Sequence, residues 1–390
     1  MKSVALIGAS GHGLSHRRNL ARLAAAGRVE VVAFADPRPP APAEDAPIDP
    51  ATRIFADHAE MLREVRPDAV VICTPPHTHL AIATDALEAG ADVLLEKPPV
   101  MSLAEHRALA AVTVRTGRAL QIGFQALGSA ALAELRAAIA DGRLGEVTGI
   151  AAVASWQRPD AYYARTPWAG RRTVNGRPSL DGAIANPLAH ALMQALALAP
   201  DPTPVGLELE RYRTRPIEVD DTASLRVSFA DGPPVLMAVT LCGEDFIRGE
   251  IVVHGTHGRA VLEYPTDRLL LPGDDEPRHV PGRRDLLENL LDDPAHLIAP
   301  LARTAPFTAV LEAVQAAPAP DPIDAALVDS VGTPPDRVHV IRGVNAALRA
   351  AADRPGLLSE VGTGWARAPW RTTIDGLPAR DLQMGGKAAR

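Results

Sequence analysis

Through residue 123 the chain obeys one rule: a short apolar run, a segment of helical periodicity, then another apolar run. The apolar runs are SVALIG, VEVVAFAD, DAVVICT, DVLLE and ALQIG, five to eight residues each, with no polar alternation. Strands of that kind are buried on both faces, which a parallel sheet with helices on either side provides. The intervening segments carry helix punctuation. LSHRRNLARLAAAG closes on Gly27, HLAIATDALEAG on Gly90 and SLAEHRALAAVTVRTG on Gly117. Asp57 and Ser102 each precede a glutamate by three residues, the spacing of a capping box. Strand and helix in strict turn, joined by short connections, predict a Rossmann-type doubly wound α/β domain over residues 1–123.

Beyond residue 123 the pattern changes. ALAELRAAIADGRLG predicts a helix with a glycine stop, and VTGIAAVASW a strand. NPLAHALMQALALA predicts another helix. From about 205 to 272 the apolar residues alternate with period two, and DG and HG turns separate the runs, as in a largely antiparallel sheet. Helical segments follow, and the part beyond about 275 carries the weakest signals. Residues 124–390 are therefore expected to form one α+β domain. The 36 prolines fall mainly between elements, in the 37–50 excursion, near 200 and near 318.

Composition excludes several classes. Forty basic against 47 acidic residues leave a net charge of −7, with no basic excess to hold phosphate backbones, so no nucleic acid partner is expected. No stretch reaches the length of a membrane span, and the N-terminal VALI run is too short for a signal peptide, so the expectation is a cytoplasmic chain. Cys73 and Cys242 both lie in apolar, strand-like runs and read as core residues.

The first strand runs straight into Gly8-Ala9-Ser10-Gly11-His12-Gly13 and then a helix. Glycines there permit a tight turn and let a pyrophosphate approach the helix N-terminus, whose N–H groups favour an anion. Ser10 stands where the usual fingerprint has its second glycine. Asp36, 23 residues past Gly13, is placed to accept from a ribose 2′-hydroxyl. That favours NAD, while Arg38 keeps NADP open. A plain tight turn with Asp36 starting a loop before Pro37 accounts for the same residues. Two further strand ends belong to the same carboxyl edge. One carries Thr74, Pro75 and His79; the other carries Glu96 and Lys97 in VLLEKPP. Lys97, between Glu96 and Pro98 after a buried strand, is no ordinary surface lysine. His77 and His79 diverge at a helix start with no acid or cysteine to complete a set, so no metal is expected.

GASGHG with Asp36, TPPHTHLAIATDALEAGADVLLEKPP, and the later helix with His190 together resemble the Gfo/Idh/MocA family of NAD(P)-dependent sugar and cyclitol oxidoreductases. The resemblance reaches to about residue 270 and is most specific at the EKP segment. It implies a Rossmann domain followed by an α+β domain with a large, mostly antiparallel, open-faced sheet, and a homodimer or homotetramer. It also implies that Lys97 and His190 face the nicotinamide. Chemically, a histidine suits the removal of a hydroxyl proton while hydride leaves the same carbon, and a lysine cation suits a developing alkoxide. Standing alone on an apolar helix, His190 equally reads as a core histidine. The family usually has aspartate four residues before the histidine; this chain has Asn186, with Asp181 nearby, which reads first as a turn residue before Gly182. Four aromatics fall within the seventeen residues WQRPDAYYARTPWAGRR. Trp156, Arg158, Tyr163, Arg165, Trp168 and Arg172 combine stacking faces with fixed donors suited to a carbohydrate or polyol. The expected activity is hydride transfer between nicotinamide and a secondary hydroxyl or ketone of a sugar, cyclitol or sugar acid. The rivals are an NAD-retaining hydrolase or epimerase and a non-catalytic sensing protein.

Overall fold

In the computed structural model, which describes residues 1–200 and 203–374, two compact units are built by the chain. The first comprises residues 1–124 and 284–308. Its elements are β1 (Lys2–Ile7), α1 (Gly13–Ala25), β2 (Val29–Ala35), β3 (Arg53–Phe55), α2 (His58–Val65), β4 (Ala69–Ile72), α3 (His79–Glu88), β5 (Asp92–Leu95), α4 (Leu103–Thr116) and β6 (Leu120–Ile122). The six strands form one parallel sheet in the order β3-β2-β1-β4-β5-β6. The order reverses between β1 and β4, the switch point at which open α/β sheets bind ligands. Every residue of β4 and β5 is buried, as their unbroken apolar runs require. The caps form where the spacing placed them: Asp57 accepts from the Glu60 N–H at 2.9 Å and Ser102 from the Glu105 N–H at 3.2 Å. Gly117 ends α4 in the left-handed conformation.

Residues 284–308, assigned from sequence to the second domain, pack in the first unit instead. Gln121 on β6, fully buried, holds them. Its Nε2 donates to the Leu286 carbonyl at 2.9 Å and to Asn289 Oδ1 at 2.8 Å, and its Oε1 accepts from the Ala299 N–H at 2.8 Å. The Ile122 N–H donates to the Ala299 carbonyl at 2.8 Å. The segment thus covers the edge that β6 would otherwise leave open. Phe307 meets Phe124 edge to face at 4.9 Å. Such a return is invisible to local periodicity, because it depends on one buried amide 165 residues away.

The second unit holds, of the described residues, 125–200, 203–283 and 309–374. It opens with α5 (Ala130–Ala140), the long β7 (Val147–Gln157), α6 (Asp160–Ala164), the short strands β8 (Thr173–Val174) and β9 (Arg177–Pro178), and α7 (Ala189–Leu196). Strands β10 (Pro204–Arg213), β11 (Thr222–Phe229), β12 (Val235–Thr240), β13 (Cys242–Gly255), β14 (Gly258–Glu263), β15 (Arg268–Leu270) and β16 (Arg278–His279) follow. They join β7 in a ten-stranded sheet ordered β16-β15-β14-β13-β7-β12-β11-β10, extended by Asp321–Pro322 and Trp370–Thr373 on β10. Pairing is antiparallel except at β7–β12 and at β10 with Asp321–Pro322.

Period-two alternation sends Ala151, Val153, Leu236, Ala238 and Val252 to one face of this sheet. The helix Val344–Asp353 and residues 357–366 pack over that face, burying Val344, Leu348, Leu357 and Leu358 completely. The segment beyond 275, obscure in the sequence, is in part this cover. Cys242 is buried and Cys73 half-buried, and neither forms a disulfide.

Candidate functional site

In the first unit, two glycines are dictated by space. A Cβ on Gly8 would lie 2.3 Å from the Cys73 carbonyl oxygen, and one on Gly13 would lie 1.9 Å from the Gly8 carbonyl oxygen. Position 10 imposes no such limit, so Ser10 is tolerated there. The turn is fastened to β2 by Asp36, whose Oδ2 accepts from the Ser10 N–H at 3.1 Å and whose Oδ1 accepts from the Arg38 N–H at 3.1 Å. Asp36 is thus held at the end of β2 beside the glycine turn, while the Arg38 residue is exposed. The first turn of α1 has no side-chain cap, whereas α2, α4 and α5 are capped by Asp57, Ser102 and Ser129. A tight turn, an uncapped helix start and a strand-end carboxylate fit a dinucleotide.

The other strand ends converge on Glu96. Its carboxylate, 5% exposed, accepts from the Lys97 N–H at 3.1 Å and meets His16 Nε2 at 2.9 Å. His12 Nε2 lies 3.8 Å from the same oxygen. Burial alone would raise the Glu96 pKa, but the hydrogen bond to His16 and the attraction of the nearby His12 outweigh it and hold the carboxyl well below its usual range. The Glu96 carboxylate in turn raises the pKa of His12 above that of an ordinary histidine, against an opposing effect of burial. Donor atoms of His12, His16 and Glu96 all lie within 4.8 Å of one another, close enough for a divalent ion to bridge. The sequence expectation of no metal set weighed only His77 and His79 and overlooked this group. The signal was present: His12 and His16 stand four apart, one turn on the same side.

Thr74 and Pro75 lie at the end of β4, Thr74 half-buried and Pro75 exposed, with the Thr74 hydroxyl 2.7 Å from that of Thr78. His79, expected at the cofactor, is fully buried beneath this edge. Its Nε2 lies 2.8 Å from the Thr74 carbonyl and its Nδ1 2.9 Å from the Pro98 carbonyl, so the ring ties the two turns together. Burial lowers its pKa despite these acceptors. Lys97 is half-buried at the end of β5.

In the second unit, α7 is buried at every position except His190, which is half-buried. The helix's other polar residue, Gln194, is fully buried, so His190 is the one polar side chain of α7 with partial exposure. The helix is shorter than its sequence suggests. It starts at Ala189, because Pro187 and a run of turns precede it, and Asn186 lies in those turns. Asp181 is no exposed turn residue. Its side chain is fully buried and accepts from Arg165 Nη2 at 2.8 and 2.9 Å, the Gly170 N–H at 3.0 Å and Asn186 Nδ2 at 2.6 Å.

The aromatic and arginine stretch stacks. Arg158 lies 4.8 Å from the Trp156 ring and 5.3 Å from the Tyr162 ring; Arg165 lies 3.6 Å from Tyr162 and 4.8 Å from Trp168. Trp156 Nε1 donates to the Arg248 carbonyl at 2.9 Å, and Phe246, 64% exposed, extends the row. Tyr163 packs under Arg215, with its pKa raised by burial. Arg172, expected at the substrate, donates through Nη2 to the Gln315 and Ala317 carbonyls and so straps parts of the second unit together.

Among the described residues, no helix is long and apolar enough to cross a membrane. Residues 2–124 match the family model described as the oxidoreductase family, NAD-binding Rossmann fold, and residues 132–261 match the GFO/IDH/MocA C-terminal domain. An uncharacterized oxidoreductase of Escherichia coli, YhhX, is 27% identical over 227 residues, 58% of this chain and 61% of the relative. Inositol 2-dehydrogenase 1 of Saccharopolyspora erythraea is 33% identical over 145 residues, 37% of this chain and 42% of that one. The chain thus matches less than two thirds of the length of either curated relative. In fold it resembles the WlbA dehydrogenase of Bordetella pertussis, solved with NADH and UDP-GlcNAcA. The TM-score is 0.65 and the identity 21%, over 80% of this chain and 94% of that one. With both of its domains matched, the chain belongs to the Gfo/Idh/MocA family of NAD-binding oxidoreductases.

Proposed function

We propose that the protein is an NAD-dependent dehydrogenase acting on a secondary hydroxyl of a sugar, cyclitol or sugar acid. The observation that supports this most is His190, the one position of α7 that is not buried, preceded by a hydrogen-bonded Arg165–Asp181–Asn186 group in which only Asp181 is buried. When bound, NAD supplies the hydride acceptor, with its pyrophosphate at the Gly8–Gly13 turn and Asp36 as the acceptor for a ribose hydroxyl. His190 takes the hydroxyl proton as base, since a neutral imidazole accepts at ordinary pH. Lys97 orients that hydroxyl and stabilises the alkoxide as it forms. Asn186 positions, and the arginine–aromatic row from Trp156 to Trp168 offers stacking faces to a sugar ring and the Arg158 cation to a sugar acid. Inositol and glucoside dehydrogenases among the relatives support the carbohydrate class.

The test is NADH formation from NAD across a panel of cyclitols, aldoses and sugar acids. Turnover on at least one is expected, with Lys97→Met losing about a hundredfold or more in kcat. Tight cofactor retention with product but no net NADH would instead select an epimerase or hydrolase that oxidises transiently.

A further inference from the structure

We infer that Asp181 is a positioning residue that fixes the orientation of the Asn186 amide, so that the two together replace a single carboxylate on the approach to His190. The inference rests on the dehydrogenase reading above. An aspartate that merely starts a turn stays near solvent and bonds to backbone two or three residues on. Asp181 does neither. Its side chain is fully buried, and its donors come from positions 165, 170 and 186. A buried carboxylate is tolerated when its lone pairs are taken, and here Oδ1 and Oδ2 each accept twice. Arg165 supplies the countercharge, 2.8 Å away.

The consequence for Asn186 follows from amide chemistry. Its two ends are nearly the same size, so shape alone does not choose between them. A carboxylate accepts only from the NH2 end. The 2.6 Å contact therefore locks Nδ2 onto Asp181 and turns the carbonyl end away. Asn186 then presents an acceptor to any donor on its other side, whether an imidazole N–H or a substrate hydroxyl. A carboxylate at 186 would present the same acceptor there. What differs is the location of the negative charge, which sits one residue group further back and is neutralised by Arg165. Restoring aspartate at 186 alone should be harmful, because two carboxylates would then share one arginine at hydrogen-bond distance.

The decisive experiment is a double-mutant cycle with Asp181→Asn, Asn186→Asp and the exchange of both. Melting temperature and the Asn186 side-chain amide resonance need no substrate and judge the pairing; kcat and KM judge the positioning. Each single variant should melt lower than the parent, and the exchange should melt higher than the sum of the two losses predicts. The Asn186 amide resonance should move in Asp181→Asn. With a substrate in hand, Asp181→Asn and Asn186→Asp should each lose about tenfold in kcat, with substrate KM and NADH affinity little changed. The exchange should recover part of that loss. An additive melting cycle with an unmoved amide resonance overturns the inference whatever the enzyme does. So does an Asp181→Asn protein that turns over at the parent rate. A parent protein with no dehydrogenase activity counts against the reading above, while the melting cycle still decides the pairing.

Discussion

Replacing Gly13 by alanine tests the cofactor turn directly. The added Cβ would meet the Gly8 carbonyl oxygen at 1.9 Å and its carbon at 2.9 Å, so it must push that peptide by more than 1 Å to reach ordinary contact. Gly8 has little room to retreat, because the space where a Cβ on it would stand is already closed by the Cys73 carbonyl oxygen, 2.3 Å away at the end of β4. The turn itself must deform. Overpacking of this kind costs about 1–3 kcal/mol. Taken from cofactor binding alone, that is a loss of about 5- to 150-fold in affinity. Gly11→Ala is the matched control: nothing lies within 4 Å of its Cβ, but φ is +58°, so the cost is backbone strain of about 1 kcal/mol. NADH titration by fluorescence, with a melting curve for each variant, separates the two. Gly13→Ala should bind clearly more weakly than Gly11→Ala while remaining folded. Equal, near-parental affinity for Gly13→Ala would refute the assignment of this turn to the pyrophosphate.

Two further outcomes are expected. Gln121→Leu orphans the buried Ala299 N–H, at roughly 1–3 kcal/mol, and removes two further hydrogen bonds, to the Leu286 carbonyl and to Asn289 Oδ1, which keeps the Ile298 N–H, at roughly 0.5–1.5 kcal/mol each; a loss of about 2–6 kcal/mol should appear in urea denaturation. A loss below about 1 kcal/mol would mean that the amide does not hold residues 284–308. The Glu96 group sets a pH dependence of opposite signs. The raised His12 pKa contributes stability that is complete below about pH 6.5 and fades as pH rises through the folded value; the depressed Glu96 pKa contributes stability that is lost as pH falls below about 4.5. His12 is 62% exposed, so its share stays below about 1 kcal/mol. Melting curves from about pH 4 to about pH 9 should show a gentle alkaline decline that His12→Ala flattens; identical slopes for the two proteins would contradict the ion pair.

The first unit was legible because each of its signals is local. Unbroken apolar runs gave the buried strands, and Asp57, Ser102 and Gly117 punctuate helices within a few residues of themselves. The sheet of the second unit was legible for the same reason, through period-two alternation and turn dipeptides. What escaped depends on residues far apart in the chain. Gln121 reaches residues 286–299 to bring a late segment back to the first sheet. The helix Val344–Asp353 has a clear apolar stripe, but nothing local says which sheet face it covers. At the site, composition placed Arg165 and Arg172 side by side as substrate ligands. The structure separates them: Arg165 binds Asp181, and Arg172 binds backbone carbonyls. Asp181 was misread because a DG pair signals a turn whether or not the carboxylate is buried.

The central claim is that His190 is the base of an NAD-dependent oxidation of a carbohydrate hydroxyl. The direct measurement is NADH formation on the best substrate of the panel by the parent and by His190→Ala, with NADH affinity measured for both. The account predicts a loss of about a hundredfold or more in kcat with cofactor affinity preserved. A His190→Ala enzyme that forms NADH at the parent rate would contradict it.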